Sequence, residues 1–122
     1  MNNLKTFYVA AALVLATVMP ASSAFAGGVS GQRISMINIY GTSTTPYAVF
    51  SFDGGTSSGP ACATWRGAMA IDITTTRGKA QLQLLTTAFL SGKNVMLTGT
   101  NACVTPAGFG VAVETFNYVT IQ

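Results

Sequence analysis

Residues 74–92 read TTTRGKAQLQLLTTAFLSG, and this stretch decides how the rest of the chain is interpreted. Leu82, Leu85 and Phe89 follow the i, i+3, i+7 spacing of one helical face. The threonines at its start offer side-chain oxygens that can cap a helix, and Gly92 suits the left-handed position just past a helix end. The stretch therefore predicts an amphipathic helix of about four turns, although Gly78 in the first turn lowers helix stability.

Short segments of β-type sequence lie on both sides of this helix, which gives the element order β-β-β-α-β-β. This is the order of the OB-fold, a small, partly open barrel of five strands. The sequence thus predicts a β-rich α+β fold with one helix between strands three and four, while another small α+β sandwich fits the same pattern. The predicted strands cover residues 34–40, 47–52, 61–65, 95–99 and 115–122, and residues 68–73 are either a continuation of the third strand or a separate short piece.

In two of these segments, the order of apolar and polar residues predicts which side chains lie on which face of the strand. Met36 and Ile37 are adjacent apolar residues, which a β-bulge or burial of both strand faces would explain. In the last segment, uninterrupted alternation puts Phe116 on the same face as Tyr118, and Val119 on the opposite face.

The first 26 residues have the pattern of an export signal. Lys5 provides a positive start, residues 7–19 are an apolar run, and Pro20 interrupts any helix. Residues 24–26, Ala-Phe-Ala, are a small-x-small cleavage signature, which places the first mature residue at Gly27. A membrane anchor is the alternative, but the apolar run is shorter than the roughly 20 residues of a membrane span. We therefore expect a secreted or periplasmic protein with no membrane span after cleavage.

Removing residues 1–26 from the 122-residue chain leaves 96 residues, 27–122, which is the size of one domain. Five lysines and arginines then stand against three acids, so the net charge is +2 and the charges are scattered. Nucleic-acid binding requires a clustered basic face, so the composition argues against it. So little charge would also do little to oppose self-association.

Cys62 and Cys103 are the two cysteines of the chain. In an oxidising compartment, an even cysteine count in a small domain indicates a disulfide. Two free thiols are the alternative, whereas a metal site is disfavoured because the chain has no histidine and neither cysteine has a paired neighbour.

The inventory of reactive side chains is too small for the common catalytic arrangements. Without histidine, neither a Ser-His nor a Cys-His pair can form. Asp72 and Glu114 could in principle form a carboxylate pair, but nothing in the sequence brings them together. Each of the three acids also fits a structural role. Asp53 suits a turn, Asp72 suits the start of the helix, and Glu114 suits an exposed strand end. We therefore predict a protein that is not an enzyme and needs no cofactor or metal.

Aromatic residues are the better candidates for a binding surface. Tyr40, Tyr47, Trp65 and Phe109 could form a platform for a sugar, although such residues more often belong to the core or cover the ends of a barrel. Trp65 with the adjacent Arg66 is the best surface candidate, because tryptophan and arginine are enriched at contact surfaces.

Several short motifs, together with the order of elements, carry a family resemblance. They are Ser30-Gly31, Ile34, Gly41, Pro46-Tyr47, Ala61-Cys62-Ala63 and Ser91-Gly92-Lys93-Asn94-Val95. These features resemble the B subunits of pentameric bacterial toxins of the subtilase cytotoxin and typhoid toxin type. The resemblance implies an OB-fold, assembly into a homo-oligomer and glycan binding, with Ser30 in the place of a serine that helps hold a sialylated glycan. The chain departs from these subunits where they have a cysteine just after the Pro-Tyr pair, since Ala48 and Val49 occupy that region here.

The chain is also similar to a group of small exported bacterial proteins of unknown function, whose two cysteines fall where Cys62 and Cys103 fall. The matching residues are Asp72, Gly78-Lys79-Ala80, Ser91-Gly92-Lys93, Gly99-Thr100, Cys103, Glu114 and Tyr118.

The sequence thus leads to an exported binding module, glycan-binding and self-associating in the manner of toxin B subunits, with Ser30, Tyr40, Trp65 and Arg66 as candidate ligand contacts. The alternative is an envelope or structural protein that acts through protein–protein contacts.

Overall fold

The computed structural model describes residues 25–56 and 58–122, so the greater part of the predicted export signal lies outside the described residues. The described chain forms six strands and one helix. Their bounds are β1 Gly28–Gln32, β2 Ile34–Gly41, β3 Pro46–Phe52, β4 Ala68–Asp72, α1 Thr76–Ser91, β5 Val95–Val104 and β6 Val113–Ile121.

All six strands belong to one sheet, in the order β1-β5-β6-β4-β3-β2. Neighbouring strands are antiparallel except β4 and β6, which are parallel. The two edge strands, β1 and β2, are consecutive in the chain and are separated only by Arg33. The sheet must therefore curl until its edges approach each other, and it forms a half-barrel with the helix against it.

The helix confirms the interpretation of residues 74–92. Thr75 is the N-cap, and its hydroxyl accepts a hydrogen bond of 2.9 Å from the Gly78 amide. Gly92 ends the helix in the left-handed conformation, with φ 63°. The buried face is narrower than expected, because Leu85 and Ala88 are buried while Phe89 remains 40% exposed.

The main core lies between the helix and the concave face of the sheet. Phe50 and Phe116 meet there edge to face, with ring centroids 5.7 Å apart, against Met69 of the central strand β4 and Leu85 of the helix. A second, smaller cluster on the other face of the sheet consists of Val49, Ala68, Ala70 and Val113. Since β4 contributes to both clusters, it is buried on both faces.

The β-rich α+β class is confirmed, but the prediction of five strands is wrong. Residues 28–32 contain two glycines and lie before the first predicted strand, yet they pair with β5 through backbone hydrogen bonds, which do not require β-prone side chains. The predicted strand at 61–65 is not formed. Instead, the Thr64 and Trp65 amides donate to the Ala112 carbonyl, which ties this segment to the loop before β6.

Two bulges decide which side chains face the core. The register of β2 against β3 shifts between Ile34 and Met36, which confirms the predicted irregularity there. In β6, Phe116 pairs with Gly99 and Tyr118 with Thr98, so Asn117 is the extra residue of a bulge. The strand therefore changes face at Asn117, and Phe116 and Val119 both contact the core, against the sequence-based expectation.

Candidate functional site

Three aromatic side chains from distant parts of the chain meet on the convex face of the sheet. The ring of Phe109 lies 4.6 Å from that of Tyr40 and 5.4 Å from that of Trp65, centroid to centroid, and both pairs are tilted. We call these three residues the aromatic cluster. Tyr40 comes from the end of β2, Trp65 from the loop between β3 and β4, and Phe109 from the loop between β5 and β6.

Backbone hydrogen bonds hold the two loops that carry Trp65 and Phe109. The Gly41 amide donates to the Ala107 carbonyl at 2.8 Å, and the Phe109 amide donates to the Pro106 carbonyl at 3.0 Å. The Thr64 hydroxyl accepts from the Ala112 amide at 3.1 Å. The Gly41 bond thus attaches the Phe109 loop to β2, and the Thr64 hydroxyl attaches the Trp65 loop to the residue before β6. These contacts limit the conformational entropy that a ligand would have to remove.

Trp65 owes its position to the glycine two residues later. The indole ring lies against Gly67, where any β-carbon would overlap the ring. The same side chain is 41% exposed, so one part of the indole contacts Gly67 and Phe109 and the rest faces solvent. Tyr40 and Phe109 are half-buried because they pack on the second cluster of the sheet. Tyr40 and Phe109 thus cover the second cluster, whereas part of Trp65 is exposed to solvent.

The other predicted contact residues are placed differently. Arg66 is exposed beside Trp65, and its carbonyl accepts hydrogen bonds from the amide and hydroxyl of Thr56. Tyr47 packs against the second cluster and does not extend the aromatic pairs. Ser30 is exposed on β1, whereas Tyr40 lies near the far end of β2. The structure therefore brings Tyr40 and Trp65 together through Phe109, but leaves Ser30 at the opposite end of the 28–41 segment.

The disulfide between Cys62 and Cys103 confirms the predicted pairing, with the two α-carbons 6.0 Å apart. It joins the loop that carries Trp65 to the end of β5. The bridge closes a long loop and ties the aromatic cluster to the sheet from a second side. It is compatible with residence in an oxidising compartment.

A pocket of about 270 Å³ opens at the N-terminal end of the helix. The Asn117 carbonyl, freed by the bulge, accepts hydrogen bonds from the side chains of Arg77 and Gln81. Asp72 accepts from the amide and the hydroxyl of Thr74, and these bonds hold the pKa of its carboxyl below the ordinary value. These groups bond to one another, whereas the side-chain Oδ1 of Asn117, which also lines the pocket, is buried without a hydrogen-bond partner among the described residues.

Asp72 and Glu114 have separate hydrogen-bond partners. Asp72 bonds to Thr74 at the helix start, whereas Glu114 is 2% exposed and bonds to the backbone of Gly27 and Asn101. The expectation that Glu114 lies at an exposed strand end is therefore wrong, because β6 begins one residue before it and turns it inward. In the described part of the chain, no group of three or more cysteine or acidic side chains could hold a metal ion. No helix there has the length and apolar character of a membrane span.

The sequence predicted every member of the aromatic cluster but not which rings contact one another. It did not predict that Glu114 is buried. The signal that could have found it is a lone acid between Val113 and Thr115 in a strand, in a chain with only three acids after residue 26. Such an acid either faces solvent or has dedicated partners.

Comparison of the chain with protein-family models, with curated proteins and with solved structures gave no match.

Proposed function

We propose that this protein is an exported, non-enzymatic binding module whose aromatic cluster takes a sugar. The observation that carries the proposal is the partly exposed indole of Trp65, backed by Phe109 and Tyr40 and followed directly by the exposed Arg66. A soluble domain gains nothing in stability from leaving its single tryptophan 41% exposed, whereas a contact surface uses such a group.

The chemistry of the cluster suits a carbohydrate. The C–H bonds on one face of a pyranose ring carry slight positive charge and pack against the electron-rich face of an indole or phenol ring. A guanidinium next to such a ring can hold the carboxylate of an acidic sugar through two parallel hydrogen bonds. The favoured ligand is therefore a glycan with an acidic residue, which is the class that the resemblance to toxin B subunits also implies.

We further propose that the fold is OB-like. If β1 and β2 count as one strand bent at Arg33, the chain has five strands with the helix between the third and the fourth. That strand then pairs with the second and the fourth strand, and the third pairs in parallel with the fifth. OB-type barrels bind oligosaccharides on one sheet face and its adjoining loops.

The test is binding of the exported, oxidised protein to a glycan array that includes sialylated glycans, followed by titration of the best ligand. Because Trp65 is the only tryptophan, its fluorescence reports directly on the cluster in every variant that retains it, and the glycan array reports on Trp65→Ala. We expect Trp65→Ala and Phe109→Ala to lower the affinity at least tenfold, and Arg66→Gln to lower it for acidic glycans only. Phe89→Ala is the matched control, since Phe89 is an equally exposed aromatic residue on the helix. No binding to any glycan would refute the sugar proposal, and equal loss in all variants would show that the cluster is not the site.

Self-association is part of the same proposal, because weak sugar sites act together in a multivalent ring. The edge strand β2 exposes Met36 and Ile39, at 51% and 55%, next to unpaired backbone groups. Light scattering of the mature protein behind a sizing column tests this. A mass near five monomers would support toxin-like assembly, whereas a monomer at micromolar concentration would contradict it.

Protein–protein contact is the second candidate function, and the exposed apolar side chains of the helix favour it. Leu84, Phe89 and Leu90 are 41%, 40% and 78% exposed on one element. An apolar surface of this kind suits an envelope partner rather than a sugar. Loss of partner capture in Leu90→Gln, with Trp65→Ala unaffected, would favour this function over glycan binding.

A further inference from the structure

Glu114 is the one charged side chain that is buried among the described residues, and its contacts point to the N-terminus of the processed protein. Its carboxylate is 2% exposed. The Gly27 nitrogen faces both carboxylate oxygens, at 3.0 Å from Oε1 and 2.8 Å from Oε2. Oε1 also accepts a hydrogen bond of 2.9 Å from the Asn101 amide. Residue 27 is also the predicted first residue of the mature chain.

The surroundings of the carboxylate fit glycine at residue 27. A β-carbon on Gly27 would overlap both Glu114 Oε2 and the Ser58 carbonyl, and one on Gly99 would overlap Oε1. The Gly27 carbonyl accepts a hydrogen bond of 2.8 Å from the Gly99 amide, so residue 27 is held at both its nitrogen and its oxygen. Asn101 reaches the carboxylate from a left-handed backbone conformation, with φ 63°. We call this arrangement the Glu114 socket.

In the continuous chain, the described residues give the carboxylate of the Glu114 socket no ion-pair partner. Its three hydrogen bonds come from backbone amides, and no lysine or arginine nitrogen of the described residues forms an ion pair with Glu114 within 4.0 Å. A β-carbon on Gly59 would lie 3.6 Å from Glu114 Oε2 and 3.9 Å from Arg66 Nε, so the guanidinium is near the socket without forming an ion pair with the carboxylate. A buried carboxylate without a counter-ion is costly, and amide bonds offset only part of that cost.

The hydrogen count at Gly27 favours an ammonium group over an amide. A peptide nitrogen carries one hydrogen, so in the continuous chain the two carboxylate oxygens share that hydrogen in a bifurcated bond. A free α-ammonium carries three hydrogens and a positive charge, so one hydrogen can point at each oxygen. Charge-assisted hydrogen bonds of this type are roughly twice as strong as neutral ones. The residues before Gly27 are exposed, with Phe25 at 70%, so the chain leaves the domain where the cut is predicted.

We propose that signal cleavage after Ala26 creates an α-ammonium group at Gly27 whose counter-ion is the buried Glu114 carboxylate. Peptide hydrolysis supplies this group: water adds across the Ala26–Gly27 bond, the carboxylate stays on Ala26 and the amine of Gly27 is protonated. Export processing thus completes the Glu114 socket, and the mature domain is more stable than the same domain joined to its signal. This inference does not depend on any ligand.

The experiment uses the full chain, exported and processed. Sequencing of the mature N-terminus should give Gly27. A variant with one alanine inserted between Ala26 and Gly27 retains the Ala-Phe-Ala signature and moves the new ammonium group one residue away from Glu114. The inserted residue occupies the exposed position that Ala26 has in the structure, so it introduces no clash. We expect the melting temperature to fall by at least about 4 °C, the shift that 1 kcal/mol gives in a domain of this size.

The same insertion in a Glu114→Gln background is the control. If the ion pair exists, the insertion changes the melting temperature of that protein by less than about 1 °C. An equal fall in both backgrounds, no fall in the Glu114 protein, or a mature N-terminus other than Gly27 would overturn the proposal.

A second measurement covers the case in which Glu114→Gln does not fold. The α-amine of the mature protein and that of the insertion variant are acylated under the same conditions, and the modified N-terminal peptide is quantified by mass spectrometry. A paired, buried α-ammonium should react at least tenfold more slowly than the displaced one. Equal rates would refute the proposal.

Discussion

Gly78, in the first turn of α1, lies directly against the backbone carbonyl of Asp72, at the end of β4. A β-carbon on Gly78 would overlap the Asp72 oxygen, and it would also crowd the Thr75 hydroxyl that caps the helix. Gly78 is buried by this contact. The residue that lowers helix propensity is therefore the one that lets the helix start close to the sheet, next to the pocket at its N-terminal end.

We predict that Gly78→Ala destabilises the protein by about 1–3 kcal/mol, because overlap with backbone atoms outweighs the gain of about 1 kcal/mol in helix propensity. The free energy of unfolding in urea measures the effect. Thr87→Ala, at an exposed position of the same helix, is the control and should change stability by no more than about 0.5 kcal/mol. A stabilised Gly78→Ala protein would show that the helix can shift away from β4 without cost.

Two adjacent leucines of the helix should respond very differently to truncation. Leu85 is fully buried in the main core, whereas Leu84 is 41% exposed. We expect Leu85→Ala to cost about 2–5 kcal/mol through lost burial and the cavity it leaves. Leu84→Ala should cost less than about 1 kcal/mol, because much of its surface is already in water. Chemical denaturation of both variants checks the difference, and similar costs would contradict the assigned helix face.

Loss of the disulfide should affect both stability and the aromatic cluster. The bridge between Cys62 and Cys103 spans 41 positions of sequence. Without the bridge, the unfolded chain gains conformational entropy, and this lowers the free energy of unfolding by about 4 kcal/mol. Since Cys62 lies three residues before Trp65, we expect the paired Cys62→Ser, Cys103→Ser protein to show a red-shifted tryptophan emission even while it is still folded. Unchanged emission would show that the loops hold Trp65 without the bridge.

Acid stability should depend on the contact between Asp72 and Thr74. The side-chain hydrogen bond from Thr74, with the backbone bond from the same residue, lowers the pKa of the Asp72 carboxyl from 3.8. A carboxyl with a lower pKa in the folded state contributes stability above its unfolded pKa, and that contribution is lost as the pH falls through the folded value.

The free energy of unfolding between pH 5 and pH 2 measures this contribution. We expect Asp72→Asn to remove part of the decline below about pH 4, the ordinary range of the carboxyl. Thr74→Val removes the side-chain hydrogen bond, which lowers the pKa of Asp72 more than the backbone bond does. The decline in stability of this variant should therefore lie between those of the other two proteins. Identical pH profiles for all three proteins would contradict the role of this contact.

The features that the sequence alone predicted depend on residues close together in the chain. The helix bounds follow from Thr75 and Gly92, since a cap bond reaches three residues and a left-handed end needs a single glycine. The irregularity at Met36 follows from two adjacent apolar residues. The pairing of Cys62 with Cys103 required no geometry, because two cysteines in an oxidising compartment allow one bridge.

Only the tertiary structure decided the features that join distant residues. Gly27 and Glu114 meet across 87 positions, and they do so because β1 pairs with β5, and β5 pairs with β6 through two register shifts. The bulge at Asn117 reverses the faces of β6 and thereby puts Val119 in the core. A single-residue shift of register moves every side chain of a strand to the other face, so local alternation cannot fix these contacts. Local sequence determined the helix and its ends, whereas strand pairing over the whole sheet determined the buried acid and the aromatic cluster.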